Sequence, residues 1–141
     1  SSPPNMIEFS SDNRTTITPK FATSLLRLNF SALVSGQNTS AIMSFKFYDQ
    51  TNNSNVGFSS LGTGSGRTFA NASYRNKDYD ANDRVHLNMT AYQAASNTTA
   101  RTYSIYGMIE SGQTIYMNMT TTDNNGCSYA PPVFTIEEIA Q

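Results

Sequence analysis

Apolar and polar residues alternate with a period of two along most of this chain, and that pattern constrains the fold more than any other feature. Successive side chains of a β-strand point to opposite sides, so such alternation predicts strands with one buried face. No stretch shows the 3.6-residue period of an amphipathic helix. The clearest strand places these apolar residues at alternate positions: Leu26, Leu28, Phe30, Ala32 and Val34.

The alternation recurs eight or nine times, with clusters of turn-forming residues between the repeats. The expected strands cover residues 15–18, 26–34, 43–48, 56–58, 67–74, 85–91, 103–109, 115–119 and 133–139. Many short strands at regular spacing predict an all-β protein, an antiparallel β-sandwich, with a jelly roll of about eight strands as the leading form. We also expect a hairpin turn at residues 49–55, and a second hairpin in which residues 111–113 join strands 103–109 and 115–119.

The length of 141 residues suits one domain with a single hydrophobic core. Residues 1–13 lack alternation, so we expect an extended N-terminal arm, followed by a jelly-roll β domain over residues 14–141. An arm of this kind can dock on a neighbouring molecule. Its candidate contact residues are Pro3, Pro4, Met6, Ile7 and Phe9.

Charged residues make up only 13% of the chain, against about 25% in typical globular proteins. Ser, Thr and Asn take their place, and the formal net charge is −1. A near-neutral chain has no electrostatic footprint for nucleic acid, and no apolar run reaches the roughly 18 residues of a membrane span. Strand faces that are uncharged but carry Tyr and Met suit contacts between subunits, so we expect a protein that assembles with copies of itself.

The residues that most often carry chemistry are isolated in this sequence. His86 is the only histidine, and no nucleophile or orienting carboxylate is identified for it. Cys127 is the only cysteine, which excludes an intramolecular disulfide. The glycine-rich run at residues 62–66 is followed by neither Lys-Ser/Thr nor a helix, as a phosphate-binding loop requires. We therefore expect no enzymatic activity and no cofactor.

A charged loop is predicted at residues 75–83, and it holds the remaining candidate contacts. Its aspartates are spaced like the oxygen ligands of a calcium loop, but the glycine and the final glutamate of that motif are missing. We expect a solvated turn without a metal ion. Tyr74, Arg75 and Tyr79 are the candidate exposed contacts in and beside this loop.

Several short phrases occur in an order that resembles phage virion proteins. Those proteins carry an "ITPKFATSK(I/L)L" phrase between two strands and a closing "(S/T)IxxMEI" strand. The matching stretches here are residues 16–28, 66–70, 101–105 and 134–139, and together they span most of residues 15–140.

This resemblance implies a trimeric jelly roll, similar to a tumour-necrosis-factor-like head, that is carried on a virion. Such heads occur in capsid decoration proteins, in tail-fibre tips and in baseplate-associated receptor binders. The chain begins with a short arm and shows no coiled-coil stalk, so we expect a capsid decoration (cement) protein on the capsid surface. Its partners would be two further copies of itself and the major capsid protein or other virion proteins, with the arm as the clasp on the shell.

Two alternatives remain open. In the first, the protein is the receptor-binding tip of a tail fibre or spike, and loops 49–55, 62–66 and 75–83 contact a host glycan or surface protein. Tyr74, Arg75 and Tyr79 would then stack on the sugar. In the second, the chain is a secreted lectin-like domain, since it contains several Asn-x-Ser/Thr sequons that accept glycans in a secretory pathway.

Overall fold

The computed structural model describes residues 6–36, 42–57, 71–75, 85–109, 114–117 and 131–141. In these ranges the chain forms ten strands and one 3₁₀ turn, Ser11–Asn13. The strands are β1 (Ile7–Glu8), β2 (Thr15–Ile17), β3 (Leu25–Gly36), β4 (Ile42–Asp49), β5 (Ser54–Asn55), β6 (Ala72–Arg75), β7 (Val85–Ala94), β8 (Arg101–Ile109), β9 (Ile115–Met117) and β10 (Val133–Ile139). All pairings among these strands are antiparallel, which confirms the predicted all-β class.

The strands form two sheets. In the first, the β4–β8 sheet, β1 and β2 pair with one side of β8, and β5 and β6 pair with the far side of β4. In the second, the β3 sheet, β7 lies on one side of β3 and β10 on the other, with β9 pairing near the end of β3. The chain passes from one sheet to the other between β3 and β4 and again between β7 and β8. This alternation is typical of a jelly roll, and the packed sheets confirm the predicted sandwich.

The alternating apolar residues lie between the two sheets, as the sequence pattern predicts. Fully buried side chains come from both: Leu26, Leu28, Phe30 and Val34 of β3, Leu87 of β7, Met43, Phe45 and Phe47 of β4, and Tyr103 and Ile105 of β8. Burying one such side chain contributes about 1.5–3 kcal/mol. The Phe134 ring of β10 also crosses the interior, with its centroid 6.1 Å from that of Phe30 and 5.6 Å from that of Phe47.

The predicted hairpin turn at residues 49–55 is confirmed. Tyr48 and Asp49 of β4 pair with Asn55 and Ser54 of β5. The buried Asp49 carboxylate accepts hydrogen bonds of 3.0 Å from the backbone N–H groups of Thr51 and Asn52, which closes the turn. The strand expected at residues 56–58 lies earlier, at β5, and is followed by a bend at residues 56–57.

The predicted hairpin between residues 103–109 and 115–119 is wrong. β8 belongs to the β4–β8 sheet, whereas β9 pairs with Val34–Gly36 of β3 in the opposite sheet. A chain that turns back within one sheet and a chain that crosses to the other sheet bury the same alternate residues. Alternation alone therefore could not separate the two connections.

The described part of the predicted arm packs on the sandwich. β1 pairs with Tyr106 and Gly107 of β8, and the Phe9 N–H donates to the Ile105 carbonyl at 3.0 Å. The Phe9 ring stacks on Phe45 with centroids 5.7 Å apart. A Cβ on Gly107 would overlap this ring, so the glycine makes room for it.

The predicted arm contacts therefore have different surroundings. Phe9 is half-buried against the core, and Met6 is also half-buried. Ile7 is 70% exposed. Pro3 and Pro4 lie outside the described residues. Of the arm residues that the structure describes, Ile7 offers the exposed apolar side chain.

We expect Phe9→Ala to lower the free energy of unfolding by about 2 kcal/mol or more, because truncating a packed aromatic leaves a cavity. The matched variant Ile7→Ala removes an exposed side chain and should change it by less than about 0.5 kcal/mol. Urea unfolding of both variants, followed by circular dichroism at one protein concentration, measures the difference. Equal stability of the two variants would contradict the packing of Phe9.

Candidate functional site

The described residues do not bring a catalytic set together around His86. Its Nε2 lies 3.1 Å from the Ser31 hydroxyl, and its Nδ1 lies 3.0 Å from the Asn88 amide nitrogen. Both contacts are with neutral polar groups on the exposed face of the β3 sheet, and no carboxylate contacts the imidazole to orient it as a base for the Ser31 hydroxyl.

The other candidate reactive or ligand-binding groups lie outside the described ranges. These are Cys127, the glycine-rich run at 62–66 and the aspartates of residues 78–83. Among the residues that the structure describes, no group of three or more His, Cys, Asp or Glu is placed to hold a metal ion. In the same part of the chain, no helix has the length and apolarity needed to cross a bilayer.

The three predicted loop contacts are not brought together as an exposed cluster. Tyr74 lies on β6, opposite Met43 of β4, and is half-buried against the core. The expectation that Tyr74 is exposed is wrong, because Tyr74 pairs with Met43 and lies on the same inward-facing side of the sheet. The backbone of Arg75 pairs with Ile42, and Tyr79 lies outside the described residues.

Exposed apolar side chains concentrate at β10. The large hydrophobic residues exposed in the described ranges are Ile7, Phe21, Tyr92, Val133 and Ile139. Val133 and Ile139 are 54% and 37% exposed on β10, and Phe21 is 57% exposed in the turn that β10 contacts. We call these three residues the apolar edge. Val133 and Ile139 lie at opposite ends of β10 with Thr135 and Glu137 between them, and Phe21 lies beside the Ile139 end. Exposed apolar side chains on one edge strand make this strand a candidate interaction surface.

Glu138 of β10 fixes the turn that carries Phe21. Its carboxylate accepts hydrogen bonds from the backbone N–H groups of Lys20, at 2.8 Å, and of Phe21, at 3.0 Å. The Ser24 N–H closes the same turn by donating to the Phe21 carbonyl at 3.2 Å. The N–H groups of Lys20 and then Phe21 favour the charged carboxylate and hold the pKa of Glu138 below its usual range. Phe21 is thus presented on an ordered turn.

The lowered pKa of Glu138 links stability to pH. A depressed carboxylate pKa adds stability above the pKa of the unfolded chain, and that stability is lost as pH falls through the folded-state pKa. We expect Glu138→Gln to lower Tm at pH 7, with the difference from the unsubstituted protein shrinking below about pH 4.5. Thermal unfolding of both proteins between pH 3 and 7 measures this difference in Tm.

The matched control for this pH experiment is Glu137→Gln. Glu137 pairs with Arg27 through an exposed ion pair, which contributes little to stability. Glu137→Gln should therefore change Tm less than Glu138→Gln does at pH 7. A pH-independent effect of Glu138→Gln would contradict the role of the charged carboxylate.

A depression of about 170 Å³ lies beside the apolar edge, on the outer face of the β3 sheet. We call it the β3 groove. Its lining is Asn29, Phe30 and Ser31 of β3, Asn88, Met89 and Thr90 of β7, and Val133 and Thr135 of β10. The groove therefore spans all three neighbouring strands of this sheet.

Most polar side chains of the β3 groove already have partners. Thr90 Oγ1 donates to Asn29 Oδ1 at 3.0 Å, and Ser31 and Asn88 both contact the ring of His86. A polar group costs free energy on burial mainly when it loses its hydrogen bonds. An apolar group can therefore cover this face while these side chains keep the hydrogen bonds among themselves.

The outer face of the β4–β8 sheet has a different character. The Tyr48 and Tyr106 rings lie 4.7 Å apart, and the Lys46 ammonium lies 5.4 Å and 5.6 Å from their centroids. Partial burial lowers the pKa of Lys46. Gln50 Nε2 donates to the Ser104 hydroxyl at 2.7 Å and to the Tyr106 hydroxyl at 3.2 Å. We call Lys46, Tyr48 and Tyr106 the tyrosine platform, since adjacent rings can stack on another flat group.

The chain matches no family model, and it matches no curated protein. The function is therefore inferred from the apolar edge, the β3 groove and the tyrosine platform.

Sequence reasoning missed the apolar edge. One signal was available for two of its members, because Val133 and Ile139 alternate with the inward-facing Phe134 and Ile136. Apolar residues on the outward face of an edge strand are a signal of a second contact. Phe21 carried no such signal, since its position depends on the bond to Glu138.

Proposed function

We propose that this chain is a bacteriophage virion structural protein, a homotrimeric capsid decoration or cement protein. The observation that carries the proposal is the apolar edge, Phe21, Val133 and Ile139. Apolar surface in water is unfavourable, and packing against another copy removes it. The order of phrases that resembles phage virion proteins supplies the virion context.

The charge distribution supports self-association. Among the outward-facing residues described on β3, β7 and β10, the ionised side chains are Arg27 and Glu137, which pair with each other. Copies of such a face do not repel one another. Interfaces between subunits are likewise depleted in charged residues, and they are enriched in aromatic ones such as Tyr92 on this face.

The proposed contact with the capsid lies at the N-terminal segment. Phe9 is engaged with the core, so the shell contact is assigned to Ile7 and the residues before it, with Pro3, Pro4 and Met6 among them. The partners are two further copies of the chain and the major capsid protein. The role requires only binding surfaces, and we assign no enzymatic activity and no cofactor.

We expect light scattering at micromolar concentration to give about three times the chain mass of 15.5 kDa. The value should change little between low and high salt, because the contacts are apolar and neutral. Val133→Glu should produce monomers, since it places an unpaired charge in the contact. Asn55→Glu, at an exposed position of β5 at the far end of the strand order of the β4–β8 sheet, is the matched control and should stay trimeric. A monomeric unsubstituted protein would overturn the trimer.

Binding to the shell is tested with capsids assembled without this protein. Ile7→Glu should remain trimeric and lose at least about tenfold in affinity for these capsids, because a charge replaces the exposed apolar contact. Asn55→Glu serves as the control again. Cryo-electron microscopy of decorated capsids shows where the protein sits. Full occupancy by the Ile7→Glu variant would exclude the N-terminal contact.

The tyrosine platform favours a second candidate function, the receptor-binding tip of a tail fibre or spike. Neighbouring tyrosine rings beside hydrogen-bonding groups suit a sugar, which offers both apolar faces and hydroxyls. Soluble protein that blocks adsorption of the phage, and a Tyr106→Ala variant that does not, would favour this function over decoration.

A further inference from the structure

We propose that Phe21 of one copy seats in the β3 groove of the next copy, and that this contact closes the ring of three. The inference rests on the homotrimer proposed above. It names the two surfaces that meet, an aromatic side chain on a fixed turn and a groove of matching size.

Phe21 has the properties of an anchor residue. Its side chain is 57% exposed, yet its backbone is held by Glu138 and by the Ser24 N–H. An ordered turn loses little conformational entropy when it binds, so more of the burial energy remains as affinity. Aromatic side chains bury about 150–250 Å² each and are frequent among the residues that dominate interfaces.

The β3 groove fits a phenyl ring in size and in chemistry. Its volume is about 170 Å³, and an apolar cavity of about 150 Å³ is enough to bind benzene. Val133, Thr90 and Thr135 among the lining residues carry methyl groups for apolar contact. The hydrogen bonds among the amides and hydroxyls around them stay intact when the ring covers them.

The occupant has to come from another molecule. A ring seated in its own groove would be buried, whereas Phe21 is mostly exposed. The groove is also remote from the Phe21 turn. Leu25, four residues after Phe21, pairs with Ile139 at one end of β10, whereas Asn29 of the groove pairs with Thr135. That separation along β3 is about 13 Å, beyond the reach of a phenylalanine side chain.

The symmetry of the contact agrees with a closed ring. Phe21 and the β3 groove are different surfaces of one chain, so each copy can donate its ring to one neighbour and receive a ring from another. Such head-to-tail contacts close into a cyclic oligomer when the rotation between copies fits. The neutral charge of this face, with Arg27 and Glu137 paired, places no like charges opposite one another.

A double-mutant cycle on self-association tests the contact. Phe21→Ala removes the ring, and Thr135→Trp fills the groove. Each should raise the dissociation constant of the trimer by about 30-fold or more, as for a dominant interface residue. The double variant should be no weaker than either single variant, because both remove the same contact. Sedimentation equilibrium measures the constants, and circular dichroism checks the fold.

The control is Asn55→Ala, which truncates an exposed side chain on β5 of the other sheet and should leave the constant unchanged. Unchanged association of Phe21→Ala would overturn the inference, as would a loss from Phe21→Ala with none from Thr135→Trp. Independent, multiplying effects in the double variant would also overturn it. A monomeric unsubstituted protein would instead overturn the homotrimer itself, so the two failures are distinguishable.

Discussion

The packing of β3 against β4 and β8 is the interaction on which the other features depend. β3 lies at the centre of its sheet and buries Leu26, Leu28 and Phe30 against the opposite sheet. It also sets the register of β7, β9 and β10, since all three pair with it. A shift of β3 by one residue would exchange its buried and exposed faces and would dismantle the groove on its outer side.

The same packing also determines which side chains the outer faces carry. Because most apolar side chains are buried in the interior, the outer faces carry mainly Ser, Thr, Asn and Tyr, and few charges. Ser31 and Asn88 both hydrogen-bond to His86 on the β3 sheet, and Gln50 donates a hydrogen bond to Tyr106 on the other sheet. Polar groups that are already partnered can be covered by a neighbour at small cost. This arrangement is compatible with the assembly that we propose.

Long-range contacts then decide which residues are presented. Glu138, near the end of the chain, orders the turn of Phe21 near its beginning. Phe9 is drawn into the sandwich by Phe45 and by the space above Gly107, which leaves Ile7 outside. These contacts attach both proposed interaction surfaces to the sandwich.

The sequence by itself determined most of the buried strand positions, because a strand places alternate side chains on opposite faces whatever its neighbours are. The strands, the sandwich and the β4–β5 turn were predictable for that reason. Only the tertiary structure decided which sheet receives β9, since hairpins and crossings share one pattern. It also decided that Tyr74 is packed and Phe21 exposed, because both outcomes depend on partners distant in sequence, Met43 and Glu138.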